Sequence, residues 1–189
     1  MLFRSVYQQW NPAVFSLPQS IPIDEPITIW GRDWIVQESS LGIDGCLGVF
    51  ALEDIEMPET LARDEDGPHL FPYCGPIYSR RHWNILVAAN PWWKKFQLDL
   101  DMEAGSLARP GQTRVVDGDP VRCANLSGYI NSTYGTKPKK RPNVQWVHVE
   151  APPSRDWCSD SSISDHVVTV LIRSIRAGEE LFCDYLWDS

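Results

Sequence analysis

Several familiar signals are missing from this sequence. The five cysteines, Cys46, Cys74, Cys123, Cys158 and Cys183, form no Cys-x-x-Cys pair, and no histidine stands at zinc-ligand spacing. That pattern predicts no metal site and reads as reduced, intracellular, mainly structural thiols. No apolar run approaches the roughly 20 residues needed to cross a bilayer, and residues 1–9 lack the apolar centre of a signal peptide. The expectation is a soluble, unsecreted chain with no membrane partner, in the nucleus or cytoplasm. The sequons Asn125-Leu126-Ser127 and Asn131-Ser132-Thr133 then carry no meaning as glycan sites. There is no P-loop, no dinucleotide fingerprint and no internal repeat. Positive charge is scarce too: 17 Lys and Arg face 25 Asp and Glu, a net charge of −8. A general nucleic-acid binder draws its affinity from neutralising phosphates, so that class is disfavoured, and a basic partner suits the acidic surface better.

At 189 residues the chain is long enough to bury one ordinary core, and two domains would be a squeeze. Nine Trp and fifteen Pro point to short strands and many turns rather than a helix bundle. Pro12, Pro18, Pro22 and Pro26 forbid a long helix over residues 1–26, which are expected to run as an extended segment ahead of a single domain, residues 27–189.

Ile27-Thr28-Ile29-Trp30 and Trp34-Ile35-Val36 alternate around Gly31-Arg32-Asp33, the pattern of a hairpin. The loop Leu41-Gly42-Ile43-Asp44-Gly45-Cys46-Leu47-Gly48 opens a strand through Val49-Phe50-Ala51. Closely spaced glycines let backbone amides and carbonyls approach a ligand, although on its own such a pair is more often a turn between strands. Residues 53–66 are acidic, a solvated loop that can also steer a lysine-rich substrate. Ser79 caps a predicted helix over 80–89 that Asn90-Pro91 ends. Trp92, Trp93, Phe96, Leu98 and Leu100 read as core, the last three alternating as in a strand. Turn-rich residues 103–112 then lead to Val115-Val116-Asp117-Gly118. Val144, Trp146 and Val147 return to strand, and the β-branched run over 167–172 reads as a buried strand followed by turn chemistry over 175–179.

Two segments carry the chemistry. One is Gly128-Tyr129-Ile130-Asn131-Ser132 with Pro142-Asn143 further on; the other is Glu180-Leu181-Phe182-Cys183-Asp184-Tyr185. Taken singly, Asn131 reads as a satisfied loop asparagine and Tyr185 as a surface anchor. Together, in this order, they resemble the SET-domain protein lysine methyltransferases, with the resemblance running over residues 35–187. It implies a mainly β fold, the β-clip of several small sheets with short helices, closed by a C-terminal pseudoknot in which the segment ending in Tyr185 passes beneath the loop carrying Asn131. The expectation here is a domain without the cysteine-rich zinc segment that many members carry after the tyrosine.

The resemblance also implies an activity: methyl transfer from S-adenosyl-L-methionine to a lysine ε-amine of a basic protein or peptide, a histone tail first among the candidates. Tyr185 matches the catalytic tyrosine. Gly45, Cys46, Leu47, Gly48, Asn131, Ser132 and Tyr185 match the cofactor site, and Tyr73, Tyr129, Cys183 and Trp187 the substrate channel. Cys183 stands where members carry a Phe or Tyr that limits methyl count, so the channel is expected to admit more than one methyl. Three positions depart from the family pattern: Gly128 replaces an arginine, Ser132 a histidine, and Cys46 an earlier glycine. They support the alternative reading, a SET-fold interaction module without catalysis. The cluster Lys137, Lys139, Lys140 and Arg141 reads as a solvated loop, a nuclear localisation signal, or a contact for nucleic-acid phosphate.

Overall fold

The computed structural model describes residues 20–58, 67–73, 75, 77–99, 114–120, 125–134, 136, 139–150 and 165–184. Among these residues, strand-forming, alternating sequence becomes three small sheets with one α-helix, the mainly β architecture that the resemblance implied. In the first sheet β1 (Pro26–Ile29) and β2 (Arg32–Glu38) form a hairpin, and β3 (Leu47–Ala51) pairs with the far side of β2. The hairpin turns one step earlier than the Gly31-Arg32-Asp33 expectation. Ile29 pairs with Arg32, so Trp30 and Gly31 are the two turn residues, at φ 53° and 74°, and Arg32 and Asp33 belong to the strand. Positive φ at both central residues matches the right-handed twist of the flanking strands, which is why a two-residue turn wins here.

The second sheet has the order β4 (His69–Pro72), β10 (Asp165–Leu171), β9 (Val144–Glu150), β11 (Phe182–Cys183), β8 (Asn131–Ser132). The predicted strand over 167–172 is present but stops at Leu171; the amide of Ile172 turns to the carbonyl of Asn143 instead. The third sheet orders β5 (Ile77–Ser79), β7 (Arg114–Asp117) and β6 (Gln97–Asp99). Between β5 and β6 lies α1 (Arg80–Ala89), whose N-cap Ser79 accepts a hydrogen bond from the His82 amide, as its sequence predicts. A 3-10 turn, Pro91–Phe96, follows. It corrects two expectations: Phe96 belongs to this turn rather than to a strand, and Trp92 is not core but 58% exposed. Lys95 covers the Trp92 ring at 3.5 Å, so the indole is held at the surface by a cation rather than by apolar neighbours. Leu100 lies outside the described residues.

The main core joins the first two sheets. Trp34, Val36, Val49, Leu70, Phe71, Leu126, Ile130, Val144, Leu171 and Leu181 are buried there, with Trp34 edge-on to Phe71 at 4.9 Å. Burying each such side chain is worth about 1.5–3 kcal/mol.

Candidate active site

β11 lies between β9 and β8 and runs parallel to both, with Cys183 opposite Val144 on one side and Ser132 on the other. The connection from β8 to β9 therefore has to cross β11, the pseudoknot the resemblance implied. Asn143 closes this crossing. It is fully buried, its Oδ1 accepts the Phe182 amide at 2.7 Å, and its Nδ2 donates to the Glu180 carbonyl at 2.8 Å. The Phe182 carbonyl accepts the Asn143 amide at 3.0 Å, and the Cys183 carbonyl accepts the Thr133 amide at 3.1 Å. Both orphan sides of a two-residue strand are thereby satisfied.

The same strand lead-in sets the chemistry. Residues 178–181 run along β3: Leu181 donates to the Val49 carbonyl, Ala51 to that of Glu179, and Gly178 to that of Ala51. This alignment places the Glu180 side chain over Gly48. The carboxylate is buried, and burying a charge costs several kcal/mol unless hydrogen bonds replace water. Four do. Oε1 accepts from Ser39 Oγ at 2.7 Å and Asn131 Nδ2 at 3.0 Å; Oε2 accepts from the Ser40 amide at 2.8 Å and Ser40 Oγ at 2.6 Å. Gly48 is glycine for this reason, since a Cβ there would sit 2.8 Å from Glu180 Cδ.

Asn131 is the meeting point. Its Nδ2 also lies 2.9 Å from the Leu47 carbonyl and 3.1 Å from Ser39 Oγ, and its Oδ1 is 3.5 Å from the Cys46 thiol. Thus Asn131, Cys46, Leu47 and Gly48 gather in one place, and Gly45 closes the adjoining loop at φ 71° with open space where a side chain would be. Ser132 is half-buried on β8, its Oγ accepting the Tyr134 amide. Lys140 donates to Ser40 Oγ at 2.9 Å, with its amine 5.3 Å from the Phe182 ring centre.

The four residues read as a channel fall in different settings. Tyr73 is buried, edge-on to Trp146 at 5.1 Å, and Gly118 packs its backbone directly on the phenol, leaving no room for a Cβ. Tyr129 is half-buried beside the main core; burial first, then the Asp119 charge, pushes its phenol above the usual range, so it stays protonated at neutral pH. Cys183 is buried, and burial pushes its thiol up to about 12, which makes it inert as a nucleophile. Trp187 lies outside the described residues, as do Tyr185 and Lys137; Lys139 and Arg141 are exposed. Among the described residues no group of three His, Cys, Asp or Glu could hold a metal, and no helix is long and apolar enough to cross a membrane.

Sequence reasoning missed Ser39, Ser40, Asn143 as a clamp and Glu180 as the hub. The available signal was a charged residue inside the buried run Glu180-Leu181-Phe182-Cys183, which demands a partner elsewhere in the chain.

The SET domain family model matches residues 46–186. The chain belongs to the SET-domain family. Solved structures share the fold at low identity. The chain of the Neurospora SET domain protein DIM-5, a histone lysine methyltransferase, is 18% identical with a TM-score of 0.53 over 82% of this chain and 53% of that one. ATXR5 in complex with a mono-methylated histone H3.1 is 19% identical, with a TM-score of 0.53 over 80% and 56%. Apo ctPRC2 with two substitutions in Ezh2 gives 20% identity and a TM-score of 0.55 over 82% and 15%. The chain thus spans about half the length of the first two and a small part of the third. No curated protein matches it.

Proposed function

We propose that this SET domain is a protein lysine methyltransferase that uses S-adenosyl-L-methionine and acts on a basic peptide segment, with histone tails the first class to test. The observation that supports it is the cluster at Asn131: the amide, the Leu47 carbonyl, the glycine loop and the Glu180 carboxylate converge beside the strand that leads into Tyr185. This donor set fits the amino-acid end of such a cofactor. The acceptors Asn131 Oδ1, Leu47 O and Glu180 suit an ammonium, Lys140 adds a cation, and the open side of Gly45 admits a ligand against the backbone. Bound there, the cofactor supplies an electrophilic methyl group.

The chain's own residues have three tasks. Asn131, pinned by Leu47 and Glu180, orients the ligand's amino-acid end. Tyr185 orients the attacking amine. Tyr73, Tyr129, Cys183 and Trp187 form the channel that strips water from the substrate lysine. Free lysine titrates near 10.4 and is almost wholly protonated at neutral pH, so desolvation is needed to release the neutral amine. Holding amine and methyl donor in line can contribute about 7–11 kcal/mol to the rate.

A second reading, a SET-fold interaction module, draws on Gly128. A Cβ there would meet the Gly118 carbonyl at 2.5 Å and Pro120 Cδ at 2.9 Å, so this packing has no place for the arginine of the family pattern. Titration calorimetry with S-adenosyl-L-methionine separates the two. Saturable binding that Asn131→Ala weakens by at least about 1 kcal/mol, followed by methylation of a histone peptide that Tyr185→Phe abolishes, supports the enzyme. No binding up to millimolar cofactor refutes it in favour of the module.

A further inference from the structure

We propose that Lys140 binds the carboxylate of the ligand's amino-acid end, supplying from the β8–β9 crossing the positive charge that Gly128 cannot. The inference rests on the cofactor reading above and assigns a residue within it. Four observations carry it.

The packing around Gly128 leaves no space for a side chain, so the motif itself contributes no cation. Lys140 is joined to the Asn131 cluster by a short relay: its amine donates to Ser40 Oγ, Ser40 Oγ donates to Glu180 Oε2 at 2.6 Å, and Glu180 Oε1 accepts from Asn131. The amine is also placed rather than trailing. The Lys140 amide donates to Thr136 Oγ1 at 2.9 Å, and Thr136 Oγ1 donates to the Thr133 carbonyl at 2.9 Å, which braces the crossing, while the Phe182 ring attracts the charged end from 5.3 Å. Finally, an ammonium has three donors and Lys140 spends one on Ser40; among the described residues no carboxylate lies in ion-pair contact with it.

The electrostatics favour this use. Glu180 puts a negative charge beside Asn131, good for an ammonium and repulsive to a carboxylate. A zwitterion needs both signs within its own length, and Lys140 provides the second at the rim of the same cluster. A purely structural Lys140, serving only to offset Glu180, would affect every ligand alike.

The test compares two probes by titration calorimetry on the full chain: S-adenosylhomocysteine, and its decarboxylated analogue 5′-(3-aminopropylthio)adenosine. The wild-type chain is expected to favour the carboxylate-bearing probe by about tenfold or more, the scale of a charge-assisted hydrogen bond. Lys140→Met is expected to lose that preference, binding S-adenosylhomocysteine about tenfold more weakly and the analogue within about twofold of wild type, with Lys140→Arg recovering most of the loss. Equal affinity of the wild type for both probes overturns the assignment and needs no variant. So does a Lys140→Met chain that binds both as tightly as wild type, or weakens both equally; in these cases the cofactor reading survives. Failure of the wild type to bind either probe overturns the cofactor reading itself, and this assignment with it.

Discussion

Adding one methyl group at Gly48 tests whether Glu180 holds the glycine loop and strand β11 together. The methyl carbon of Gly48→Ala would lie 2.8 Å from Glu180 Cδ and 3.2 Å from Cγ, with the Oε1 atom closer still. A free glutamate would swing aside at little cost. This one is tethered by Ser39 Oγ, Ser40 N, Ser40 Oγ and Asn131 Nδ2, all within 3.0 Å. Moving Oε1 out of the way breaks the Ser39 and Asn131 bonds. Hydrogen bonds to charged groups are worth about 1.5–3 kcal/mol each, so the gross loss is about 3–6 kcal/mol. Relaxation and rehydration recover part of that, and the stiffer unfolded chain of an alanine returns about 0.4–1 kcal/mol. The net expectation is a destabilisation of about 2–4 kcal/mol. In a Glu180→Ala background the obstacle is gone, and the same substitution should cost less than about 0.5 kcal/mol. The coupling between the two sites is then about 1.5–4 kcal/mol, at or above the upper end of about 3 kcal/mol usual for residues in contact. Urea unfolding followed by tryptophan fluorescence measures all four corners of the cycle. Equal costs of Gly48→Ala in the two backgrounds would refute the reasoning, because the glycine would then serve something other than the carboxylate.

Two further outcomes follow from the knot. Asn143→Ala removes the acceptor for the Phe182 amide and the donor to the Glu180 carbonyl in a fully buried place, so it should cost about 2–5 kcal/mol in urea unfolding; a cost below about 1 kcal/mol would show that β11 is held without it. Cys183 gives an alkaline signature: the ordinary thiol value is 9.0 and burial raises it to about 12 in the folded chain, so its contribution is complete below pH 9 and is lost as pH rises towards 12, by up to about 1.4 kcal/mol per pH unit. Urea midpoints at pH 8 to 10.5 should fall along that slope in the wild type and flatten in Cys183→Ala; parallel slopes would contradict it.

What could be read from the sequence was whatever obeys a local rule. Ser79 as a cap, the end of α1 at Asn90, the strand after Gly48 and the strand after Asn143 each depend on residues a few positions apart. The hairpin was right and its turn misplaced, because a non-glycine residue at positive φ, Trp30, is a poor guess from composition. Trp92 failed for the opposite reason: a large apolar side chain is read as buried unless the neighbouring cation that covers it can be foreseen. Asn131 and the glycine loop were found through their resemblance to a family, and their residue types alone would have left them as loop features.

Glu180 was illegible for a deeper reason, and the same reason explains why it matters. Its partners Ser39 and Ser40 stand about 140 positions away in the chain, and they reach it only because the residues before β11 align on β3 and β11 itself fits between β8 and β9. Until that crossing forms, the carboxylate, both serines and Asn131 can all be solvated separately, and the loop over 39–48 is held only by its own β2–β3 pairing and local bonds such as Ser39 N to the Cys46 carbonyl. Closing the knot desolvates the charge and recruits all four hydrogen bonds together, so the site's geometry and the closure of the crossing share one free-energy term. A substitution that opens the knot in a fraction of chains, such as Asn143→Ala, is therefore expected to weaken the binding proposed at Asn131 by that fraction, even though Asn143 donates nothing to Asn131. The weakening is bounded by the stability lost, since a ligand that binds only the closed form is penalised by the fraction of chains left open and by no more than that.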